Sequence, residues 1–244
     1  MSEFHIVYYI SMGCPSIEYS LNKAKQYLSK GVKSLQFDLP SRYPYRETPF
    51  IKERMKYAYE KYGSYDYFLD ALTAFRKENP AFEMQMVSYE DVILTIGSAR
   101  YIDFCKKNNI KTCRISGDGV IEVARKDMNR EGIDTLTFID YNLPQKDIDF
   151  AVETGRAVML RNVREGMAPR DEMVSWKDRI AFIRNQGVKA PIYATAGLKC
   201  GADLLEAKQA GAVGAFVGSV IMKHWDNEEE MFAVLDDFEK AANS

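Results

Sequence analysis

The sequence is poor in the side chains that build metal centres and disulfide frameworks. Its 244 residues include four cysteines, none at CxxC spacing, and two histidines, His5 and His224. Zinc sites and disulfide scaffolds need closely spaced ligands or paired cysteines, so neither is expected. We therefore expect no metal and no cofactor, and such sparse cysteine usage favours a reducing cytoplasm.

The chain also lacks an excess of either charge and any long apolar run. Its 33 basic and 35 acidic side chains leave a net charge of −2, whereas binding to nucleic acid or anionic membranes needs a concentrated basic face. No apolar run approaches the roughly 20 residues that span a bilayer. The start, MSEFHIVYYI, lacks the basic and apolar regions of a signal peptide. We expect neither nucleic acid nor a membrane as a partner.

What the chain does contain is a regular alternation of short β-like runs and amphipathic helical stretches. Eight strands are predicted, at residues 5–11, 33–38, 82–88, 111–116, 134–140, 156–161, 191–195 and 213–217. Helical patterns lie between them, at 16–30, 98–108, 119–131, 146–154, 172–186, 202–210 and about 219–242. Eight strand–helix units predict an α/β fold, a single (β/α)8 TIM barrel domain over residues 1–244.

Residues 39–81 interrupt this rhythm with an extended loop and helix insertion after the second strand. The insertion carries seven of the fifteen tyrosines. Long excursions after a barrel strand lie at the catalytic face of this fold. Tyr57 to Tyr67 have the spacing of side chains that pack on the barrel flank, whereas Tyr43 and Tyr45 lie nearer the strand end and a pocket.

Strand alternation predicts a polar cluster inside the barrel. Gln36 and Asp38 share one face of the second strand, and Tyr9 and Arg114 face inward from the first and fourth. Because an unpaired charge inside a barrel is costly, an Asp38–Arg114 ion pair is one interpretation. The others are a working carboxylate whose pKa the arginine holds low, and an anion site built from Arg114 and Arg161.

Two glycine turns follow the last two predicted strands. Gly197 comes after the seventh, and Gly218 and Ser219 come after the eighth, at the start of the final helix. In barrels these two loops often bind phosphate through backbone N–H groups and a helix dipole. The alternative is that both glycines serve only the turns; the matched positions favour phosphate binding.

Four stretches resemble the tryptophan synthase α subunit family. They are YYISMGCPS, GVKSLQFDLPSRYP, SYEDVILTIG and the closing PIYATAGLKCGADLLEAKQAGAVGAFVGSVIMK. The resemblance runs nearly end to end. It implies a TIM barrel that binds the phosphate of indole-3-glycerol phosphate on Gly197, Gly218 and Ser219, and a retro-aldol cleavage to indole and glyceraldehyde 3-phosphate.

The sequence departs from the family at its catalytic positions. Gln36 stands where the family has its general acid/base glutamate, and Glu47 where it has an aspartate on the indole nitrogen. The family's tyrosine on the sixth strand corresponds to Met159, or to Val158 with a one-residue shift. The resemblance therefore implies the family's scaffold with a changed reaction centre.

We hypothesise a tryptophan synthase α-like lyase with a changed, phosphorylated substrate. Asp38 and Glu47 would share proton transfer, and Tyr9, Gln36, Arg114 and Arg161 would contact the substrate. The alternative is a non-catalytic or regulatory barrel that only binds phosphorylated ligands. The family's α subunit docks a β subunit through the loops after strands two and six. Those loops are the most altered, so we expect no β-subunit complex.

Overall fold

The computed structural model describes residues 3–117, 119 and 121–244. Val120, inside the helical stretch predicted at 119–131, lies outside these residues, as do Met1 and Ser2 of the amino-terminal stretch. The described residues form nine strands: β1 (His5–Ile10), β2 (Ser34–Asp38), β3 (Glu83–Tyr89), β4 (Thr112–Ser116), β5 (Asp134–Thr135), β6 (Thr137–Ile139), β7 (Val158–Arg161), β8 (Ile192–Thr195) and β9 (Gly214–Val217).

The chain divides into two compact units, one of residues 8–135 and one of residues 1–7 with 136–244. The prediction of a single domain stays a prediction, and each unit is described by itself. Strand β1 contributes its second half to the first of these units, which we call the central unit, and its first half to the other, the terminal unit.

In the central unit the strands pair in parallel and in chain order, from β1 through β2, β3 and β4 to β5. Its helices are α1 (Ile17–Ser29), α2 (Pro49–Tyr62), α3 (Asp66–Glu78), α4 (Glu90–Ile96), α5 (Ser98–Lys107) and α6 (Ile121–Arg130). Helices α2 and α3 occupy the insertion after β2, where α2 begins behind the Thr48 cap and ends at Gly63 in the left-handed conformation.

In the terminal unit β6, β7, β8 and β9 also pair in parallel and in chain order. Its helices are α7 (Gln145–Thr154), α8 (Trp176–Asn185), α9 (Gly201–Gln209), α10 (Ser219–Met222) and α11 (Glu228–Asn243), with a 3-10 turn at Arg170–Glu172. A core of Val7, Leu136, Met159 and Phe216 lies inside this unit.

Local signals explain most element boundaries. Ser16 caps α1 by accepting a hydrogen bond from the Tyr19 N–H at 3.0 Å. The glycines that follow α1, α6, α7, α8 and α9 adopt positive φ, the conformation in which glycine commonly ends a helix: Gly31, Gly132, Gly155, Gly187 and Gly211.

Three predicted elements differ in the structure, two because they are divided and one because it begins later. The strand at 134–140 is β5, which pairs with β4, followed by β6, which pairs with β7. The helix at 172–186 begins only at Trp176, behind the Ser175 cap. The closing helix at 219–242 is α10 followed by α11, because Asn227 caps α11 within the acidic run 226–230.

The faces of β2 follow the predicted alternation. Phe37 packs edge-on against Phe75 of α3, with ring centroids 5.7 Å apart, and against Phe82. Gln36 and Asp38 therefore lie on the opposite face, away from the helix. This alternation places polar side chains in the core of the central unit.

Candidate active site

Asp38, at the end of β2, is a fully buried carboxylate held from two sides. Its Oδ2 accepts a short hydrogen bond from the Tyr9 hydroxyl of β1. Its Oδ1 accepts a hydrogen bond at 2.7 Å from the Met12 backbone N–H, just beyond β1. Tyr9 of β1 pairs in register with Gln36 of β2, and Asp38 lies two residues beyond Gln36 on the same face of β2. These contacts fix the carboxyl plane.

Burial raises the pKa of Asp38 from 3.8 to about 6. The hydrogen bonds from Tyr9 and Met12 lower it, and the charge of Glu47 raises it, but burial dominates. From the sequence we considered a pKa held low by Arg114; the structure gives the opposite direction, because Arg114 pairs with Glu47 and burial dominates at Asp38. A carboxyl with this pKa exchanges its proton near neutral pH.

Arg114 of β4 forms its ion pair with Glu47, not the Asp38 pair that we considered. Its Nη2 lies 2.8 Å from Glu47 Oε1 and 2.9 Å from the Tyr89 hydroxyl. Tyr89 also donates to Glu47 Oε1, at 2.7 Å. Burial lowers the pKa of Arg114, but Tyr89 and Glu47 outweigh it and leave that pKa above its ordinary value. The triangle anchors the insertion loop to the core.

The Asp38–Tyr9 pair and the triangle of Glu47, Arg114 and Tyr89 interact through charge. Glu47 raises the pKa of Asp38, and burial, Asp38 and Glu47 together raise the pKa of Tyr9 well above its ordinary value. Tyr9 is therefore a hydrogen-bond donor at neutral pH. The structure thus brings together four of the predicted site residues, Tyr9, Asp38, Glu47 and Arg114. Tyr89, which the sequence reasoning missed, completes the set; its signal was an inward position at the end of a strand.

Two amides near this centre have atoms without a partner among the residues that the structure describes. They are Gln36 Nε2 and Gln85 Oε1, and both side chains are buried. Gln36 and Gln85 are register neighbours on β2 and β3. An unpartnered buried donor or acceptor costs about 1–3 kcal/mol. A hydroxyl group on a bound molecule would satisfy both atoms, since it both donates and accepts.

The two tyrosines expected nearest the pocket are exposed. Tyr43 is 64% and Tyr45 53% exposed. Tyr45 still packs edge-on against Tyr89, with ring centroids 5.5 Å apart, so it covers the Glu47–Arg114 pair. Tyr43 lies against the Arg42 guanidinium.

The predicted phosphate residues lie in the terminal unit, after β8 and β9. Gly197 has φ +108°, a conformation that L side chains rarely adopt. A side chain there would also meet Arg164, since a Cβ would lie 2.9 Å from Arg164 Cγ. Gly218 precedes α10, and Ser219 is the first residue of that helix. Arg164 is a further residue at this turn that sequence reasoning missed.

Arg161 ends β7 and pairs in register with Thr195 of β8. Its Nη1 lies 3.1 Å from Asp140 Oδ1, and its guanidinium lies over the Tyr141 ring. Met159, at the family's tyrosine position, is buried in the core of this unit. The inward-facing side of β7 therefore presents an apolar residue followed by a cation.

The described residues contain neither a metal-binding cluster nor a membrane-spanning helix. No group of three or more His, Cys, Asp or Glu side chains in residues 3–117, 119 and 121–244 is arranged to hold a metal ion. No helix in the same part of the chain is long and apolar enough to cross a membrane.

Comparison with known proteins gives one consistent result. The family model for the tryptophan synthase alpha chain matches residues 2–243. The tryptophan synthase alpha chain of Escherichia fergusonii is 21% identical over 238 residues, covering 94% of this chain and 88% of the relative. That of Pectobacterium atrosepticum is 21% identical over 218 residues, covering 88% and 81%.

Solved structures show the same fold. A protein of Aquifex aeolicus VF5 superposes with a TM-score of 0.82 at 20% identity, covering 98% of this chain and 93% of that one. A mutant tryptophan synthase alpha subunit of Pyrococcus furiosus gives 0.80 at 14% identity, covering 98% of both chains. A tryptophan synthase complex from the same organism gives 0.81 at 15% identity, again covering 98% of both. The predicted (β/α)8 barrel is confirmed.

Proposed function

The chain belongs to the tryptophan synthase alpha chain family, and from this premise we propose that it is a lyase with a changed substrate. It would cleave a carbon–carbon bond of a phosphorylated polyol in a retro-aldol step. The observation that carries this proposal is the buried pair of Asp38 and Tyr9, a carboxyl of raised pKa with a fixed hydrogen-bond donor. It supplies an acid/base group although Gln36 occupies the family's glutamate position.

A retro-aldol cleavage needs one group that takes a proton from a substrate hydroxyl and returns one to the departing carbon. The ionised Asp38 accepts the hydroxyl proton as the carbon–carbon bond breaks and a carbonyl forms. The bond's electron pair passes to the leaving carbon, which takes a proton from the now neutral carboxyl. A pKa near the working pH suits both steps. Tyr9 and the Met12 N–H orient the carboxyl throughout.

We assign Glu47 an electrostatic role in place of shared proton transfer. Glu47 Oε1 already accepts hydrogen bonds from Arg114 and Tyr89, so this oxygen is poorly placed to take a proton from the substrate. Its negative charge raises the pKa of Asp38 and so keeps that carboxyl within reach of neutral pH. Arg114 would then act as a positioning residue for Glu47.

The substrate contacts follow from the unpartnered atoms and the glycine turns. Gln36 and Gln85 would bind hydroxyl groups of the polyol through the atoms that lack partners. Gly197, Gly218 and Ser219 would bind the phosphate, because a backbone without side chains lets N–H groups approach an anion closely. Arg164, packed against Gly197, would add a charge-assisted donor at that turn.

The proposal is tested by incubating the protein with a panel of phosphorylated polyols that includes indole-3-glycerol phosphate. The readout is release of a phosphorylated aldehyde, followed through a coupled reductase. We expect a panel member other than indole-3-glycerol phosphate to be cleaved, with a loss of about 100-fold or more in Asp38→Asn. The exposed control Asp70→Asn should match the wild type. Turnover of indole-3-glycerol phosphate well above that of Asp38→Asn would refute the changed substrate.

One observation favours a second candidate, a regulatory barrel that binds phosphorylated ligands without turnover. Gln36 cannot titrate, so the family's own acid/base position is lost. This candidate predicts binding of panel members by calorimetry with no product, and binding that Glu47→Gln leaves unchanged. Product release that depends on Asp38 would exclude it.

We also propose that the chain works without a β subunit. The Pyrococcus furiosus relative has been solved as a tryptophan synthase complex. In this chain the insertion loop is tied to the core by Glu47 and Arg114, and Arg161 and Arg164 mark an altered segment after β7. Co-purification of a pyridoxal-phosphate β subunit with the tagged chain from its source cells would contradict this.

A further inference from the structure

Arg161 and Arg179 of the terminal unit have buried nitrogens without hydrogen-bond partners among the described residues. Arg179 of α8 is 0% exposed, and both its Nε and its Nη1 lack a hydrogen-bond acceptor. Arg161 of β7 is 9% exposed, and its Nε lacks one as well. The Arg179 guanidinium lies against the Arg161 backbone, because Arg179 Nη2 donates to the Arg161 carbonyl oxygen at 2.6 Å. Three buried cationic donors of these two residues thus have no acceptor among the described residues.

Among the described residues, both arginines are influenced by the same carboxylate, that of Asp140. Asp140 binds Arg161 at 3.1 Å, and its charge also acts on Arg179, so one carboxylate faces two guanidinium groups. The acceptors of Arg179 are the neutral carbonyls of Arg161 and Tyr141. Burial lowers the pKa of Arg179 to about 10, so it still carries its charge at neutral pH. Buried charges are normally paired.

Arg161 lies on the strand next to the glycine turn to which we assign the phosphate. Arg161 is the register partner of Thr195, two residues before Gly197. Arg164, three residues further along the same loop, packs directly against Gly197. All these residues belong to the terminal unit. A molecule whose phosphate sits at the turn would therefore lie next to the end of the strand that carries Arg161.

We propose that Arg161 and Arg179 form a carboxylate subsite, so that the substrate is a phosphorylated hydroxy acid. The inference rests on the proposed function and names its substrate class. A guanidinium donates charge-assisted hydrogen bonds to carboxylate oxygens, and Nε of each arginine is an open donor of this kind. One carboxylate has two oxygens, so it would accept from one open nitrogen of each arginine and offset their positive charge.

The test compares matched ligands by isothermal titration calorimetry. The probes are phosphorylated acids of two, three and four carbons, each with the phosphorylated alcohol of the same length, and glycerate as a carboxylate without phosphate. We expect at least one phosphorylated acid to bind the wild type about tenfold or more tightly than its alcohol. In Arg161→Gln the ratio of acid affinity to alcohol affinity should fall to about one. Lys177→Gln, which removes an exposed cation from α8, should keep the preference.

Each outcome bears on one claim. Equal affinity of acids and alcohols in the wild type overturns the subsite, and this comparison needs no variant. A preference that survives in a folded Arg161→Gln also overturns it. If no phosphorylated alcohol binds, the phosphate assignment of the proposed function fails. The subsite then still stands if glycerate binds the wild type and not Arg161→Gln, and it falls if glycerate binds neither.

Discussion

Replacing Asp38 with asparagine should make the protein more stable at alkaline pH, although it removes the proposed acid/base group. The carboxyl is buried, and its pKa rises from 3.8 to about 6 on folding. Folding therefore favours the protonated form. The corresponding stability is fully present below about pH 4 and is lost as the pH rises through about 6. Asparagine is neutral at every pH and escapes this loss.

The magnitude follows from the size of the shift. Two pKa units correspond to roughly 3 kcal/mol, an upper bound on the gain of Asp38→Asn over the wild type at about pH 8. The variant keeps both contacts, because its Oδ1 accepts from the Met12 N–H and its Nδ2 donates to the Tyr9 oxygen. For a chain of this length, 3 kcal/mol raises Tm by roughly 6–12 °C.

The assay is urea unfolding followed by circular dichroism, at about pH 4.5 and about pH 8. Asp38→Asn should exceed the wild type at the higher pH and approach it at the lower one. Asp70→Asn, an exposed substitution on α3, serves as the control and should track the wild type at both. A variant less stable than the wild type at about pH 8, or a difference that does not change with pH, would refute the reasoning.

Three further substitutions probe other parts of the account. Glu47→Ala should lower the free energy of unfolding by about 3 kcal/mol in urea titrations, because it leaves the buried Arg114 without its carboxylate; a loss below about 1 kcal/mol would contradict the pair. Gly197→Ala should lower the free energy of unfolding by about 1–2 kcal/mol, because φ is +108° there, and should weaken binding of a phosphorylated alcohol in calorimetry. Unchanged binding would contradict phosphate binding at this turn. Ser16→Ala should lower the free energy of unfolding by about 1 kcal/mol, because α1 loses its capping hydroxyl. No change in the free energy of unfolding would show that water replaces this hydroxyl.

The inward face of the strands was readable from the sequence because alternation is local. Tyr9 and Asp38 lie where a period of two places them, and their contact follows from the pairing of consecutive strands. The partner of Arg114 was not readable, because Glu47 comes from an irregular loop whose path no periodic pattern encodes. The direction of the Asp38 pKa shift failed for the same reason, since it depends on which side chains meet.

The position of Arg179 in the sequence already indicated that its side chain is buried, although sequence reasoning did not use it. Trp176, Ile180 and Ile183 mark the buried stripe of α8, and Arg179 falls on that stripe, three residues after Trp176 and four before Ile183. A charged residue at an apolar position of a helix indicates a specific role. What it contacts still required the structure, because the carbonyls it binds belong to Arg161 and Tyr141, far away in the sequence.

The central claim is that Asp38 is a buried acid/base group poised by Tyr9 near neutral pH. Its most direct test is a carbon-13 NMR titration of aspartate side-chain carboxyls, with the Asp38 signal assigned by its absence in Asp38→Asn. The account predicts a midpoint near pH 6. Because the Tyr9 hydrogen bond lowers this pKa, Tyr9→Phe should move the midpoint higher. A midpoint at or below about 4, as an ion pair with arginine would give, contradicts the account.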